Sequence, residues 1–349
     1  MKRVSLAFAV CLLSASALSV APASAKDTTV RIGQAVPTLS FLPIVAARAL
    51  DTFKDEGLKL QFASIRGGDP AALAALDSGD IDFAAVGSDT ALEAIAKGQP
   101  FEIVYSLMSQ VSLDLVVSND FLKRTGVSPS SPLKQRIQAL KNATIGVSAV
   151  GGTQDRVARW LIAQGGLDPQ HDVKIAMIGP PPAIHAALEH HQIDGFVLSP
   201  PEGALTEQAK TGKVLIRLGA EFPKLRSLPY LVLVAKKPLN GPRRDLAIKT
   251  VEALQAASQT TLKEPKQVAD KIQQQFYKKL TPKVILDAID EMHNGITGKG
   301  AMTQGEINRL LSFTTVTNGA IAQKLAGHAG PNSFWTDSVI DAAAKGKTP

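Results

Sequence analysis

The chain has 349 residues, 45% of them apolar, and a formal net charge of +7. That length has room for two domains with separate cores, and the composition is that of a globular protein. The basic balance does not point to nucleic acid: the Lys and Arg residues are scattered among acids, with no basic run and no interleaved aromatic platform.

The first 25 residues stand apart. Lys2 and Arg3 make a basic start, residues 4–20 form an apolar run broken by Ser14, Ser16 and Ser19, and Ala23-Ser24-Ala25 is a small-x-small cleavage site. This reads as a secretory signal peptide over 1–25, cleaved after Ala25, rather than as a membrane anchor. Losing Lys2 and Arg3 takes the formal charge from +7 to +5. The single cysteine, Cys11, falls in that leader, and Phe8-Ala9-Val10 before it lacks the small residue of a lipid-attachment box. The trimmed chain therefore has no disulfide, thiol nucleophile or thiolate metal site, and must hold together by its core.

Residues 29–33 read as a first strand, followed by the loop VPTLS. Leu42, Val45, Ala46, Ala49 and Leu50 recur at helical spacing over 42–53, and Gly57 stops that helix. A strand over 58–62 follows. Gly67-Gly68-Asp69-Pro70 is a loop, with Pro70 suited to the first turn of a helix over 71–76. A buried strand is expected over 81–86. In the loop Gly87-Ser88-Asp89, Ser88 or Asp89 can cap a helix over 90–97. Strands over 102–107 and 113–117 follow, and the alternation of strand and helix argues a parallel α/β sheet.

A Pro/Ser-rich stretch over 127–133 interrupts this pattern, which then begins again. A strand over 144–148 leads to a Gly-rich loop over 149–153 and a helix over 154–164. Then come a strand over 173–178, the loop GPPP, a helix over 183–189, a strand over 193–198, the loop Ser199-Pro200-Pro201 and a helix over 202–210. A strand over 230–234 leaves this second half. Helices over 246–262, 266–276 and 282–292 are expected to pack back on the first half.

The two halves repeat one phrase. AALAALDSGDIDFAAVGSDTALEAIAKG, from Ala71, is answered by AIHAALEHHQIDGFVLSPPEGALTEQAKTG, from Ala183. Ala75-Leu76 matches Ala187-Leu188, Ile81-Asp82 matches Ile193-Asp194, and Pro70 matches Pro182. Ile32-Gly33 matches Ile145-Gly146 after a one-residue slip. A shared supersecondary unit is thus written twice.

In open α/β sheets the ligand crevice lies beyond the carboxyl ends of the strands. Two lobes joined by crossings near 109–115 and 227–233 would set both groups of loops around one cleft, which closes on a small ligand. The expected lobes are 26–112 with 230–349, and 113–229. Candidate ligand contacts from the first are Thr38, Ser40, Phe41, Gly68, Asp69, Gly87, Ser88 and Asp89. From the second they are Ser148, Gly151, Gly152, Thr153, Gln154, Ser199, Pro200 and Glu202.

Free N–H groups at the helix start after Gly151-Gly152-Thr153 suit an anion or a carboxylate. The plainer reading makes Thr153 an ordinary cap. Asp82 and Asp194 fall at strand starts, away from the cleft, and read as structural. Of the charged residues near the cleft loops, Asp69, Asp89 and Glu202 are acidic and only Arg66 is basic. A nitrate or sulfonate site favours a guanidinium, so a neutral or zwitterionic ligand stays open. Phe41 and Tyr230 line either an apolar ligand or the core, and Trp160 reads as core. His190 and His191 are adjacent and point about 100° apart on a helix, which is poor metal geometry. No metal, cofactor or catalytic residue is expected, since there is no G-x-S-x-G, Walker loop or H-E-x-x-H.

The order of these segments resembles the solute-binding proteins of ABC importers in the nitrate, sulfonate, taurine and thiamine-precursor group. That family's phrase A-x-x-x-G-x-F-x-x-E-G-L-x-V stands here at Ala46, Ala49-Leu50, Phe53 and Glu56-Gly57-Leu58, and its A-L-x-S-G-x-I-D runs from Ala75 to Asp82. The resemblance spans nearly all of the chain beyond the leader. It implies an α/β, two-lobe type 2 periplasmic binding fold with a hinge of two crossings. It also implies a non-enzymatic protein that captures a small organic solute, sulfonate- or taurine-like or related, and delivers it to an inner-membrane ABC permease; the Ala23-Ser24-Ala25 site and the absence of a later long apolar run make a soluble periplasmic monomer the expectation. Two alternatives stand beside this. One is a ligand-sensing module for a membrane receptor. The other is an enzyme on the same fold, such as the thiamine-pyrimidine synthases, whose cysteine-rich motif is missing.

Overall fold

The computed structural model describes residues 28–34 and 38–346, so the leader and its cleavage site lie outside the described residues, as does the start of the VPTLS loop. In chain order the strands are β1 (Thr28–Gln34), β2 (Leu58–Ser64), β3 (Phe83–Gly87), β4 (Phe101–Gln110), β5 (Asp114–Ser118), β6 (Thr144–Val147), β7 (Lys174–Met177), β8 (Gly195–Leu198), β9 (Gly212–Arg217) and β10 (Arg226–Lys236). They form two five-stranded sheets, ordered β2-β1-β3-β10-β4 and β7-β6-β8-β5-β9.

The two orders are one topology used twice. In each sheet the first strand runs parallel to its two neighbours, β1 to β2 and β3, and β6 to β7 and β8. The next strand is antiparallel: β10 against β3 and β4, and β5 against β8 and β9. The sheets are therefore mixed rather than all parallel. The reversed strand in each is the one that arrives from the other sheet, because the chain crosses between Gln110 and Asp114 and again between Arg217 and Arg226.

The repeated Ile-Asp pair has a packing reason. Ile81 lies so close over Gly33 of β1 that a methyl group there would stand 2.6 Å from its Cδ1, and Ile193 lies over Gly146 of β6 at 2.8 Å. The aspartate that follows then ties down the backbone of the same strand, midway along β1 and at the first residue of β6. Asp82 accepts the Arg31 N–H at 2.8 Å, and Asp194 accepts the Thr144 N–H at 2.8 Å. Each also pairs with a guanidinium at 2.7 Å, Arg31 and Arg124 respectively. The motif ties the turn before β3, and the one before β8, to the neighbouring strand.

Several helices differ from the sequence pattern at their starts. The helix Gly68–Ser78 includes Gly68, Asp69 and Pro70, and the helix Ser88–Ala96 includes Ser88 and Asp89. Both aspartates are thus first-turn residues, where a negative charge is favoured by the helix dipole. The expected helix over 42–53 is split at Asp51, whose φ is 60°, into Leu42–Leu50 and Thr52–Asp55. Beyond β10, the helices Gly241–Lys263 and Pro265–Phe276 pack on Leu42–Leu50. The helix Gln304–Thr317, which periodicity did not mark, packs both on β10 and on the helix Thr153–Gln164 of the other sheet. Trp160 makes that second contact, meeting Phe313 at 6.0 Å between ring centres and Phe222 edge-on at 5.0 Å. Among the described residues no helix is long and apolar enough to cross a membrane.

Asp194→Ala would leave the partly buried Thr144 N–H without its acceptor, a loss of about 1–3 kcal/mol. Urea unfolding is expected to show a lower midpoint. An unchanged midpoint would contradict the strand-anchoring role.

Candidate ligand-binding site

The loops at the carboxyl ends of the parallel strands meet across the two sheets. After β1, Thr38 and Ser40 share a hydrogen bond of 2.7 Å, and the Ser199 hydroxyl after β8 donates to Ser40 Oγ at 3.0 Å. All three are buried. A second contact joins the starts of three helices. The Thr153 hydroxyl lies 2.9 Å from Asp69 Oδ2 and 2.8 Å from Asp89 Oδ1, and its N–H is 3.4 Å from Asp69 Oδ2. Together these contacts form a polar clasp between the sheets.

Local backbone makes room for the clasp. A methyl group on Gly87 would stand 1.6 Å from Thr153 Oγ1, so only glycine lets β3 end so close to the opposing helix. Gly67 and Gly68 both have positive φ, 99° and 75°, a conformation other residues adopt at a cost. That turn starts the next helix with Asp69 facing the clasp. A methyl group on Gly68 would lie 3.0 Å from Ala149 Cβ of the opposing loop.

Arg156, three residues beyond Thr153 and so on nearly the same helix face, frames one side. Its Nε is 3.2 Å from Asp89 Oδ2, its guanidinium also pairs with Glu93, and its Nε donates to the Gly151 carbonyl at 3.2 Å. Burial, and then the Asp89 charge, push the Asp69 carboxyl up to about 6. Burial also pushes Asp89 up, against the opposing pull of Arg156. On β10, burial followed by the charges of Asp89 and Asp69 holds the Tyr230 phenol well above its usual range. The seat is thus rich in carboxylate and hydroxyl oxygen, and the guanidinium that reaches it is already paired.

The structure sorts the residues named from sequence. Thr38, Ser40, Asp69, Gly87, Asp89, Thr153 and Ser199 come together in the clasp, and Gly68 closes against Ala149. Ser88 is buried in the first turn beside Asp89. The shielded Ser148 Oγ has no hydrogen-bond partner among the described residues. Gly151, Gly152 and Gln154 form the opposing turn, but Thr153 is not the cap. Gly152 holds that position, Thr153 is the first helical residue, and Asp155 accepts the Gly151 N–H at 2.8 Å.

Others point elsewhere. Phe41 is part of the hydrophobic core. Glu202 accepts from or donates to His185 Nε2 at 2.6 Å within its own half. Pro200 borders a separate cavity of about 170 Å³ shared with Asp114, Arg217 and Glu291. Arg66 is exposed. Arg156 is the residue that sequence reasoning passed over, because attention to loops left out the second turn of the helix behind Thr153. A groove of about 410 Å³ opens beside the clasp, with Leu73, Ala94, Gly151 and Arg156 among its lining residues.

A model of the family described as the NMT1-like family matches residues 23–274 of this chain. Among solved structures, a protein of Bordetella bronchiseptica RB50 superposes on 92% of this chain and 98% of its own length, with a TM-score of 0.74 at 22% identity. The periplasmic nitrate-binding protein NrtA from Synechocystis PCC 6803 matches 92% of this chain and 89% of its own, with a TM-score of 0.69 at 15% identity. The alkanesulfonate-binding protein SsuA from Xanthomonas axonopodis pv. citri, bound to MOPS, matches 92% and 99%, with a TM-score of 0.65 at 16% identity. These likenesses establish the fold as that of periplasmic binding proteins.

Gly87→Ala places its methyl group in the space of the Thr153 hydroxyl. The variant is expected to fold, by circular dichroism, yet to show a larger radius of gyration than the unaltered protein in small-angle scattering. An equal radius would show that the Gly87–Thr153 approach does not limit closure.

Proposed function

Because the chain belongs to the NMT1-like family, we propose that it is the extracytoplasmic substrate-binding component of an ABC importer, a soluble periplasmic monomer without catalytic activity. Its two halves act as lobes, 26–112 with 230–349 and 113–229, which close over a small organic solute and present it to a membrane permease. The observation that supports this reading is the clasp. Polar loops at corresponding ends of two like sheets meet at Ser40–Ser199 and at Asp69–Thr153–Asp89, where a solute touching both sides would favour the closed form.

The seat also bears on the solute. An anion such as nitrate would face two buried carboxylates, while Arg156 is engaged by Asp89 and Glu93. Like charges brought together in a dry site cost several kcal/mol. A neutral or zwitterionic solute fits better. An aminosulfonate of the taurine kind would turn its ammonium to Asp69 and Asp89 and its sulfonate to the N–H groups that begin the helix Thr153–Gln164.

Native mass spectrometry of the exported protein is expected to show a small non-covalent adduct whose composition includes a hydrogen-bond-donating nitrogen. In calorimetric titration taurine should bind at least about tenfold more tightly than nitrate. An adduct without such a donor, or nitrate binding as tightly as taurine, would contradict the assignment.

A further inference from the structure

The Thr153 hydroxyl carries one hydrogen, yet it has two short contacts with carboxylate oxygens, 2.9 Å to Asp69 and 2.8 Å to Asp89. One hydrogen serves one of them, and the other contact needs a hydrogen from the carboxyl side. Two ionised carboxylates about a single buried hydroxyl would leave an oxygen–oxygen contact without a proton and two like charges out of water. Arg156 favours the charge on Asp89, its Nε lying 3.2 Å from Oδ2 as a charge contact, since that N–H is donated to the Gly151 carbonyl. Among the described residues no cation stands beside Asp69: its neighbours are the Thr153 hydroxyl and N–H, the Gly87 N–H and the Thr90 hydroxyl at 3.5 Å, and their hydrogen bonds favour its charge less than burial and the Asp89 charge oppose it.

We propose that Asp69 holds a proton when the two halves are closed, donating it to Thr153 Oγ1 while Thr153 donates to Asp89, and that this proton latches the closed form. The latch concerns the closed form without solute; an ammonium seated on Asp69 would favour its ionised form and take the place of the proton.

Of the groups that face Asp69, Tyr230 and Glu93 do not switch in this range, and Asp89, also pushed up by burial, is opposed by Arg156. From the helix Ser88–Ala96 come Asp89, Thr90 and Glu93; from the helix Thr153–Gln164 come Thr153 and Arg156; from β10 comes Tyr230. Tyr230 stays protonated because burial and both carboxylates push its phenol up. Glu93, although burial opposes it, is held below the usual carboxylate range by Lys97 and Arg156. Asp69 is pushed up to about 6.

The direction of the effect follows. In the open form water reaches Asp69, which then loses its proton near the ordinary carboxylate value, about 3.9. The closed form therefore binds more protons between about pH 4 and pH 6. Closure is fully supported at the acid end and weakens as pH rises through about 6, with the closed-to-open ratio falling by up to about tenfold per pH unit inside that window. A second carboxyl pair, Asp114 with Glu291, also joins the halves, with burial pushing Asp114 up, so the test must separate the two.

Small-angle scattering of the exported chain at pH 4.5 and pH 7.5, with Asp69→Asn, Thr153→Val and Asp114→Asn beside it, does so. The unaltered protein should be compact at pH 4.5 and more open at pH 7.5. Asp69→Asn keeps a donor that cannot ionise and should stay compact at both. Thr153→Val loses the relay and should be open at both, and Asp114→Asn should keep the dependence. The proposal is overturned if the unaltered radius is the same at both pH values. It is equally overturned if Asp69→Asn keeps the pH dependence, if Thr153→Val stays compact, or if Asp114→Asn abolishes the dependence.

Discussion

The hydroxyl of Thr153 lies between the carboxylates of Asp69 and Asp89, and much of the surrounding structure follows from making room for it. Gly87 carries no side chain because its Cβ would fall on that oxygen. Gly67 and Gly68 take positive φ so that the next helix can begin with Asp69 turned inward. Arg156 follows one turn behind Thr153 and holds Asp89 and Glu93, which sit one turn apart on the opposing helix. A contact of this kind is strong in specificity and small in net energy, since its hydrogen bonds exchange with bonds to water. The main apolar cluster runs on through both halves, with a smaller one around Phe196 in the second.

The same economy appears in the fold. One topology serves both halves, and each sheet is completed by a reversed strand from the crossing chain. The chain crosses between the halves twice, and the helix Gln304–Thr317 leans on both through Phe313 and Trp160. Closure is thus framed by a polar clasp at the strand ends and an aromatic contact near the helix Thr153–Gln164. Rigid bodies joined by two short crossings can rotate without disturbing either sheet.

The repeat was legible in sequence because its parts are fixed by hard contacts. Ile81 and Ile193 must sit over a glycine, and Asp82 and Asp194 must reach a backbone N–H, so the residues recur in order. The reversed strands were not legible, because strand direction depends on where the chain has come from and leaves no mark on local periodicity. The starts of the helices at Gly68 and Ser88 were hidden for a related reason. Gly, Asp, Pro and Ser serve equally as loop residues and as a first helical turn. Of the candidate contacts, Ser40 met Ser199 and Asp69 and Asp89 met Thr153, while Pro200 borders another cavity and Phe41 and Glu202 were taken up by packing and by His185. Arg156 needed the three-dimensional pairing of two helices, which one sequence does not state.

The central claim is that the two sheets close, through these polar loops, over one small solute. The most direct measurement is a crystal structure of the protein isolated from the exported fraction with its solute retained. The account predicts density for a compact molecule in contact with Asp69 or Asp89 on one side and with Ser199 or the turn Gly151–Thr153 on the other. Density confined to one half, or lodged only in the groove between Leu73 and Ala94, would contradict it.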